Sequence, residues 1–264
     1  MDPQPAQVEL LGIRFAPFGQ PALLDELRAR IEQRTKTLVL SANVNSFNLA
    51  YENPWLHRYF NQADILRVDG AGIRLAARLL GRSLPPRITW ADFIWSLAAF
   101  AETPGYRLFF LGARPGVAEA AAARLAARHP ALQVVGSHHG YFNKEPGQPE
   151  NEAVLQIIAE RQPDILLVGM GTPVQERWLL DNWSRLGDMV VMTGGAVFDY
   201  ASGRLRRAPP LLTRHGFEWL GRFLIEPRRL WRRYLIGNPL FFWRILKSRF
   251  GYRQAGRTTP RDSR

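Results

Sequence analysis

Between residues 8 and 203, short apolar runs alternate with longer segments whose apolar positions recur at helical spacing. The apolar runs predict strands at residues 8–15, 37–41, 65–69, 107–111, 132–135, 165–168 and 189–192. The helical spacing predicts helices at residues 21–33, 72–80, 91–101, 151–160 and 174–183, with an alanine-rich helix ending at residue 128. Strands that alternate with helices predict an α/β fold with a parallel sheet and helices on its faces.

The C-terminal part of the chain differs in its charge. From residue 204 onward there are 16 Lys and Arg residues against three acidic residues, whereas the preceding part has 19 basic and 20 acidic residues. Three of the eight Trp residues also lie there. A biased nucleotide composition of the gene would explain the preference for Arg over Lys. It would not explain why Asp and Glu are nearly absent from residue 204 onward. A basic, aromatic segment is typical of attachment to an anionic surface.

These patterns predict three regions. Residues 1–203 form an α/β catalytic domain, residues 204–252 a basic helical appendage, and residues 253–264 a polar, disordered tail. At 100° per residue, residues 228–235 place their arginines on one side of a helix and Leu, Trp and Tyr on the other. This arrangement is typical of an interfacial helix, although a helix that docks its apolar side on the body is the alternative. The sequence contains no run of 18 apolar residues, so it predicts no membrane-spanning helix.

Glycine-containing loops follow three of the predicted strands, at residues 112–116, 169–171 and 194–195. In a parallel sheet such loops share one edge, where helix N-termini present free N–H groups and positive dipole ends. None of the three is a Walker A motif or a full G-x-G-x-x-G. Together they predict a site for a phosphorylated or nucleotide ligand at this edge.

Polar residues that could perform chemistry follow two other predicted strands. Asp69 closes one of them, and Ser41, Asn43 and Asn45 close the other; Arg87 lies in a polar segment further along. A partly desolvated carboxylate at this edge can act as a general base toward a sugar hydroxyl. The alternative for Asp69 is that it caps the next helix.

Metal and cofactor chemistry is not expected. One carboxylate offers too few hard ligands for a divalent ion, and there is no Asp-x-Asp pair. Zero cysteines also exclude disulfides and thiolate metal sites. Arginines and helix dipoles would therefore have to stabilise a diphosphate leaving group.

The motifs together resemble the WecG/TagA/CpsF family of bacterial glycosyltransferases. The resemblance rests on motifs that run in order along the chain: Asn43-Val-Asn45, Asp69-Gly-Ala-Gly72, Arg87-Ile-Thr-Trp-Ala-Asp92, Leu111-Gly with Pro115-Gly-Val-Ala-Glu119, Gly140-Tyr-Phe142, Pro163-Asp164, Val168-Gly-Met-Gly-Thr-Pro-Val-Gln-Glu176, and Gly194-Gly195 with Phe198-Asp199. It implies a Rossmann-like domain, with a mostly parallel sheet and helices on both faces, and a C-terminal helical membrane-binding appendage. It also implies metal-independent, inverting transfer of a sugar from a UDP-sugar to a polyprenyl-diphosphate-linked sugar, at the cytoplasmic face of the bacterial inner membrane.

Carried over by motif, Asp69 would be the catalytic base, with Ser41 and Arg87 as further catalytic residues. The substrate-binding residues would be Asn43, Asn45, Gly171, Gln175, Asp199, Arg222, Arg229 and Arg232. The three arginines are expected to close over the diphosphates. The family often has Thr-Pro-Asn where this chain has Ser41-Ala-Asn43, so the hydroxyl is retained and the proline is not.

Two other classes of function fit part of the sequence. A nucleic-acid-binding protein that uses the basic appendage would explain its charge and aromatics, but not the polar edge around Asp69 and Arg87. A dinucleotide-dependent oxidoreductase lacks its glycine fingerprint here. The expected partners are therefore the UDP-sugar, the lipid-linked acceptor and an anionic membrane, without nucleic acid. The sequence leaves open the donor sugar (N-acetylmannosamine, its uronic acid or a hexose), the acceptor sugar and homo-oligomer formation.

Overall fold

A small antiparallel hairpin lies apart from the main sheet, formed by β1 (Val8–Leu10) and β2 (Ile13–Phe15). The structure is a computed structural model that describes residues 8–209, 212, 213, 216 and 218–249. The prediction of one strand over residues 8–15 is wrong, because Leu11 and Gly12 reverse the chain with φ values of 51° and 75°. Turns of this kind, with two positive φ angles, match the twist of a hairpin.

The body is built around a six-stranded parallel sheet. Its strands are β3 (Thr37–Ala42), β4 (Ile65–Val68), β5 (Arg107–Gly112), β6 (Gln133–His138), β7 (Ile165–Gly169) and β8 (Val190–Thr193). The order across the sheet is β4-β3-β8-β7-β5-β6, and every neighbouring pair is parallel. The predicted α/β fold is confirmed.

Helices cover both faces of this sheet, as predicted. One face carries α1 (Gln20–Glu32), α5 (Trp90–Glu102), α6 (Val117–Ala126) and α9 (Val197–Ala201). The other carries α2 (Val44–Glu52), α3 (Pro54–Gln62), α4 (Ala71–Leu79), α7 (Pro149–Arg161) and α8 (Val174–Asn182). Successive strand residues point to opposite faces, so Leu38 and Leu40 belong to one core cluster and Val39 to the other.

The C-terminal region is helical, as predicted. It contains α10 (Glu218–Ile225), α11 (Pro227–Trp231), a π-helical turn (Arg232–Ile236) and α12 (Gly237–Arg249). Helix α12 packs on α2, where the rings of Phe241 and Phe47 lie 5.8 Å apart. Because Phe241 and Ile245 are fully buried in the same core cluster, this region is part of the folded body. The tail predicted at residues 253–264 lies outside the described residues.

Candidate active site

A cleft of about 2020 Å³ runs along the carboxyl edge of the sheet. Its floor is made by the residues that follow β3, β4, β5, β7 and β8, and its opposite side by α10, α11 and the π-helical turn. The carboxyl ends of parallel strands share one edge, which is where open α/β sheets bind ligands. All the predicted site residues line this cleft: Ser41, Asn43, Asn45, Asp69, Arg87, Gly171, Gln175, Asp199, Arg222, Arg229 and Arg232.

Asp69 lies half-buried at the floor of the cleft, directly after β4. Its backbone N–H donates to the carbonyl of Ala42 at 2.9 Å, which ties the end of β4 to β3. Gly70 then adopts φ 106° and ψ 154°, a conformation that is essentially restricted to glycine. Gly70, not Asp69, is the N-cap residue of α4, and no side chain caps that helix. The capping alternative for Asp69 is therefore wrong, and its carboxylate remains available to the cleft.

Ser41 and Asn43 hold the end of β3 in place. The N–H of Ser41 donates to Oγ1 of Thr193 at 3.2 Å, and its hydroxyl donates to the Thr193 carbonyl at 3.3 Å. Asn43 is the N-cap of α2, since its Oδ1 accepts from the N–H of Ser46 at 3.2 Å. Asn45 follows in the first turn of α2. These contacts hold in place the segment Asn43-Val-Asn45, one of the motifs that carry the family resemblance.

The glycine-containing loops that follow β5 and β7 line the cleft and also pack closely against each other. A Cβ at Gly112 would lie 2.3 Å from the carbonyl oxygen of Gly169, so only glycine fits there. Gln175 is 2% exposed, and its Oε1 accepts from the N–H groups of Gly171 and Gly195, both at 3.1 Å. The side chain predicted to bind substrate thus clamps two loops to each other at the edge of the cleft.

A buried carboxyl group lies behind this clamp. Oε1 of Glu176 accepts from Nε2 of Gln175 at 2.8 Å and from the hydroxyl of Thr172 at 3.0 Å. Burial raises the pKa of Glu176 to about 7, and hydrogen bonds from Gln175 and Thr172 oppose that shift. Its Oε2 and the hydroxyl of Tyr59 have no hydrogen-bond partner within the described part of the chain.

Two arginines of the C-terminal region line the same cleft as Asp69. Arg222 is 17% exposed at its side chain and lies over the ring of Tyr200, 5.5 Å from the ring centroid. Arg233 donates from Nη2 to Oδ1 of Asn43 at 3.4 Å. Asp69 interacts electrostatically with both guanidinium groups. The cleft therefore brings the Asp69 carboxylate together with two guanidinium groups of the C-terminal region.

Arg233 was not among the predicted site residues, whereas Arg229 and Arg232 were. Arg229 is 61% exposed and pairs with Glu226 at 2.5 Å, and the exposed Arg232 lies 5.2 Å from the ring centroid of Trp231. Both line the rim of the cleft and not its floor. The family resemblance singled out Arg229 and Arg232, whereas the helical spacing places Arg233 on the same side as both.

Arg87 connects the body to α10. Its Nη2 donates to the carbonyl of Thr213, and its Nη1 lies 3.9 Å from Glu218. Arg207 pairs with Asp92, and its Nε lies 3.7 Å from Glu218. The guanidinium that sequence analysis assigned to catalysis is thus engaged by the C-terminal region at the side of the cleft.

Asp199 lies in the first turn of α9, 4.0 Å from Nε of Arg204. Burial raises the pKa of Asp199, and the charges of Arg204 and Arg222 oppose that effect. Within the described ranges, no group of three or more His, Cys, Asp or Glu side chains could hold a metal ion. The charged groups that the structure gathers in this cleft are mainly arginines.

Comparison with known proteins agrees with this geometry. The model of the glycosyl transferase WecG/TagA/CpsF family matches residues 8–255. The chain is also similar to N-acetylglucosaminyldiphosphoundecaprenol N-acetyl-beta-D-mannosaminyltransferases of Staphylococcus aureus. The proteins of strains NCTC 8325 / PS 47 and COL are each 29% identical over 92% of this chain and 94% of the relative. This chain therefore belongs to the WecG/TagA/CpsF family, and it is a glycosyltransferase.

Proposed function

We propose that this enzyme transfers a sugar from a UDP-sugar to a sugar linked to a polyprenyl diphosphate, in bacterial surface or exopolysaccharide biosynthesis. The observation that carries the proposal is the convergence of Asp69, Arg222 and Arg233 in one cleft. The names of the relatives support it, since they describe transfer of N-acetylmannosamine to a sugar on diphosphoundecaprenol. We infer N-acetylmannosamine, its uronic acid or another hexose as the donor sugar.

In the proposed reaction, Asp69 takes the proton from the acceptor hydroxyl as its oxygen attacks the anomeric carbon. The bond between that carbon and the UDP oxygen breaks on the opposite side, which inverts the configuration. Negative charge grows on the departing diphosphate, and Arg222 and Arg233 stabilise it. Asn43 keeps Arg233 directed into the cleft through their 3.4 Å contact.

We propose that the transfer needs no metal ion. Stabilising a diphosphate leaving group requires positive charge, which a divalent ion or arginines can supply. Arginines bind phosphates in a bidentate geometry and remain charged at any physiological pH. Five described acidic residues line the cleft, and no three of them are grouped so that they could hold a metal ion: Glu52, Asp69, Asp199, Glu218 and Glu226.

The C-terminal region is proposed to bind the inner membrane peripherally, at its cytoplasmic face. Its exposed large apolar residues are Leu224, Ile225, Trp231, Leu235, Ile236, Trp243 and Leu246. Leu230 and Tyr234 are instead buried, and Tyr234 packs against two aromatic rings of α10, so only part of the predicted apolar side is available to lipid. Exposed arginines next to Trp and Leu suit a headgroup boundary, where each contributes about 1 kcal/mol with anionic lipid. No described helix has the length and apolar content to cross a bilayer.

The experiment that tests this function is a mass-spectrometric screen of UDP-sugars with a short-chain lipid diphosphate-sugar acceptor. We expect one donor to give an acceptor heavier by one sugar, together with UDP, and an anomeric configuration opposite to that of the donor by NMR. A retained configuration would contradict the inverting mechanism. Flotation with anionic liposomes, but no DNA binding at physiological salt, is expected; the reverse would favour the nucleic-acid alternative.

A further inference from the structure

Glu176 lies in the first turn of α8, behind the clamp that Gln175 makes between two glycine loops. An acidic residue in a first turn usually compensates the helix dipole from an exposed position. Glu176 is instead 0% exposed, and it is not among the residues that line the cleft. Burying a carboxyl group costs free energy unless hydrogen bonds satisfy it, so its position calls for a reason other than the helix dipole.

The carboxyl group of Glu176 determines which way the amide of Gln175 points. Oε1 of Gln175 accepts from the N–H groups of Gly171 and Gly195, while its Nε2 donates to Oε1 of Glu176 at 2.8 Å. With the amide reversed, its NH₂ group would face two N–H donors, and these hydrogen bonds would be lost. Glu176 therefore supplies the acceptor that selects the orientation in which both loops are held.

This acceptor is present whether or not Glu176 is ionised. Its Oε1 also accepts from the hydroxyl of Thr172, whereas Oε2 has no partner in the described part of the chain. A proton on the carboxyl group therefore belongs on Oε2, and Oε1 remains an acceptor in both states. Because burial raises the pKa of Glu176 to about 7, both states are populated near neutral pH, and the Gln175 amide keeps its orientation in each.

The two loops that the amide joins follow neighbouring strands of the sheet. Gly171 follows β7 and Gly195 follows β8, and both line the cleft. Their φ values are 83° and 55°, in the left-handed region that favours glycine. The Gln175 amide is thus a side-chain link between two turns at the edge where a phosphorylated ligand is expected.

We propose that Glu176 is a positioning residue for the donor: its carboxyl group fixes the Gln175 amide, and the amide holds the loops after β7 and β8 at the spacing that the nucleotide diphosphate requires. The inference rests on the proposed function for the identity of the donor. Glu176 acts through Gln175, because it does not itself line the cleft.

The experiment compares Glu176→Met and Glu176→Gln with the wild type, by calorimetric titration with UDP and by steady-state kinetics with the short-chain acceptor. Met removes the acceptor at similar volume, whereas Gln keeps an oxygen for both donors. We expect Glu176→Met to raise the Kd of UDP and the KM of the UDP-sugar by about 5- to 30-fold, with kcat changed less than about threefold. Glu176→Gln should stay within about twofold of the wild type in each quantity.

A double-mutant cycle tests whether Glu176 acts through Gln175. Once Gln175→Met has removed the amide, Glu176→Met has nothing left to misalign. The double variant should therefore bind UDP as weakly as Gln175→Met alone, within about twofold. A separate, purely structural role of Glu176 would instead multiply the two losses.

Hydrogen–deuterium exchange tests the same contact without any substrate. The N–H groups of Gly171 and Gly195 are the donors to Gln175, so their exchange reports whether the amide holds them. In Glu176→Met their exchange should be faster by about 5- to 30-fold, and in Glu176→Gln it should match the wild type.

Asn182→Leu is the matched control. Asn182 is also 0% exposed on α8; its Oδ1 accepts from Asn151 at 2.9 Å, and its Nδ2 donates to the carbonyl of Trp178 at 2.9 Å. It does not line the cleft, so this variant should lose thermal stability without any change in UDP affinity or in the exchange of the two glycine N–H groups. If thermal melts show that Glu176→Met does not fold, Glu176→Asp replaces it, because its shorter side chain withdraws the acceptor from Gln175 and keeps the carboxyl group.

Two failures can be told apart. A wild type that transfers sugar from no UDP-sugar would contradict the proposed function, and the exchange of Gly171 and Gly195 would still decide the role of Glu176. Unchanged exchange and UDP affinity in folded Glu176→Met, losses that multiply in the double variant, or an equal effect in Glu176→Gln or Asn182→Leu would overturn that role.

Discussion

Arg232 and Arg233 are adjacent in the π-helical turn, and replacing each in turn tests which of them stabilises the diphosphate. Arg233 reaches Asn43 and interacts with Asp69 inside the cleft. Arg232 is exposed and stacks on Trp231. The family resemblance assigns the diphosphate contact to Arg232, whereas the structure favours Arg233. Replacing each in turn by Met removes the charge and keeps a long, flexible side chain.

The expected magnitude follows from the two environments. A hydrogen bond between a charged donor and a partly desolvated phosphate is worth about 1.5–3 kcal/mol, so Arg233→Met should lower kcat/KM by roughly 10- to 150-fold. Part of the loss should appear in kcat, because the charge on the diphosphate grows in the transition state. Arg232→Met removes an exposed, solvent-screened charge and should cost less than about threefold.

The assay is the steady-state rate of UDP release with a short-chain acceptor in solution, without membranes, so that lipid binding does not contribute. Thermal melts would confirm folding. Asn43 keeps its bond from the N–H of Ser46 in Arg233→Met, so the cleft loop should remain in place. If Arg232→Met lost as much activity as Arg233→Met, or more, the geometric argument would be wrong.

Further predictions concern metal, pH and membrane. EDTA should leave the wild-type rate unchanged, and recovery of a lost rate by a divalent ion would contradict a metal-independent mechanism. The pKa of Glu176 rises from 4.5 to about 7 on folding, so the native state binds its proton more tightly and stability should fall as pH rises between those values. The effect is on the order of 3 kcal/mol, and Glu176→Gln should remove it, as measured by urea unfolding from pH 4 to 8. Trp231→Glu with Leu235→Glu should weaken liposome flotation several-fold yet preserve the rate on a short-chain acceptor; unchanged flotation would count against a membrane role.

Much of the fold follows from local periodicity. Buried parallel strands read as apolar runs, and helices that cover them show an apolar side, so the sheet and its two helical layers could be predicted. The hairpin was missed because its turn contains Leu11, a residue type not usual at positive φ. Helices α2 and α3 were also missed, although Asn43 and Pro54 are typical residues for helix starts.

The gathering of the candidate residues in one cleft could be predicted, because polar residues at strand ends must meet at one edge of the sheet. The directions of individual side chains could not. Gln175 turns its amide oxygen to Gly171, one helical turn earlier, and also to Gly195, which lies in a different loop. Arg233 donates to Asn43, which lies 190 residues away in the sequence. Arg67 is a charged residue within an apolar run, and the run gives no sign of how its charge is accommodated. The groups that contact its guanidinium, the Trp90 ring and the Ile88 carbonyl, come from α5 and from the segment before α5.

The most direct test of the central claim is the turnover of Asp69→Asn, measured with its UDP affinity. Asn nearly matches Asp in shape but cannot accept the proton of the acceptor hydroxyl. We expect the variant to fold and bind UDP like the wild type, while kcat falls by a factor on the order of 10² or more. Turnover close to that of the wild type would show that Asp69 is not the base.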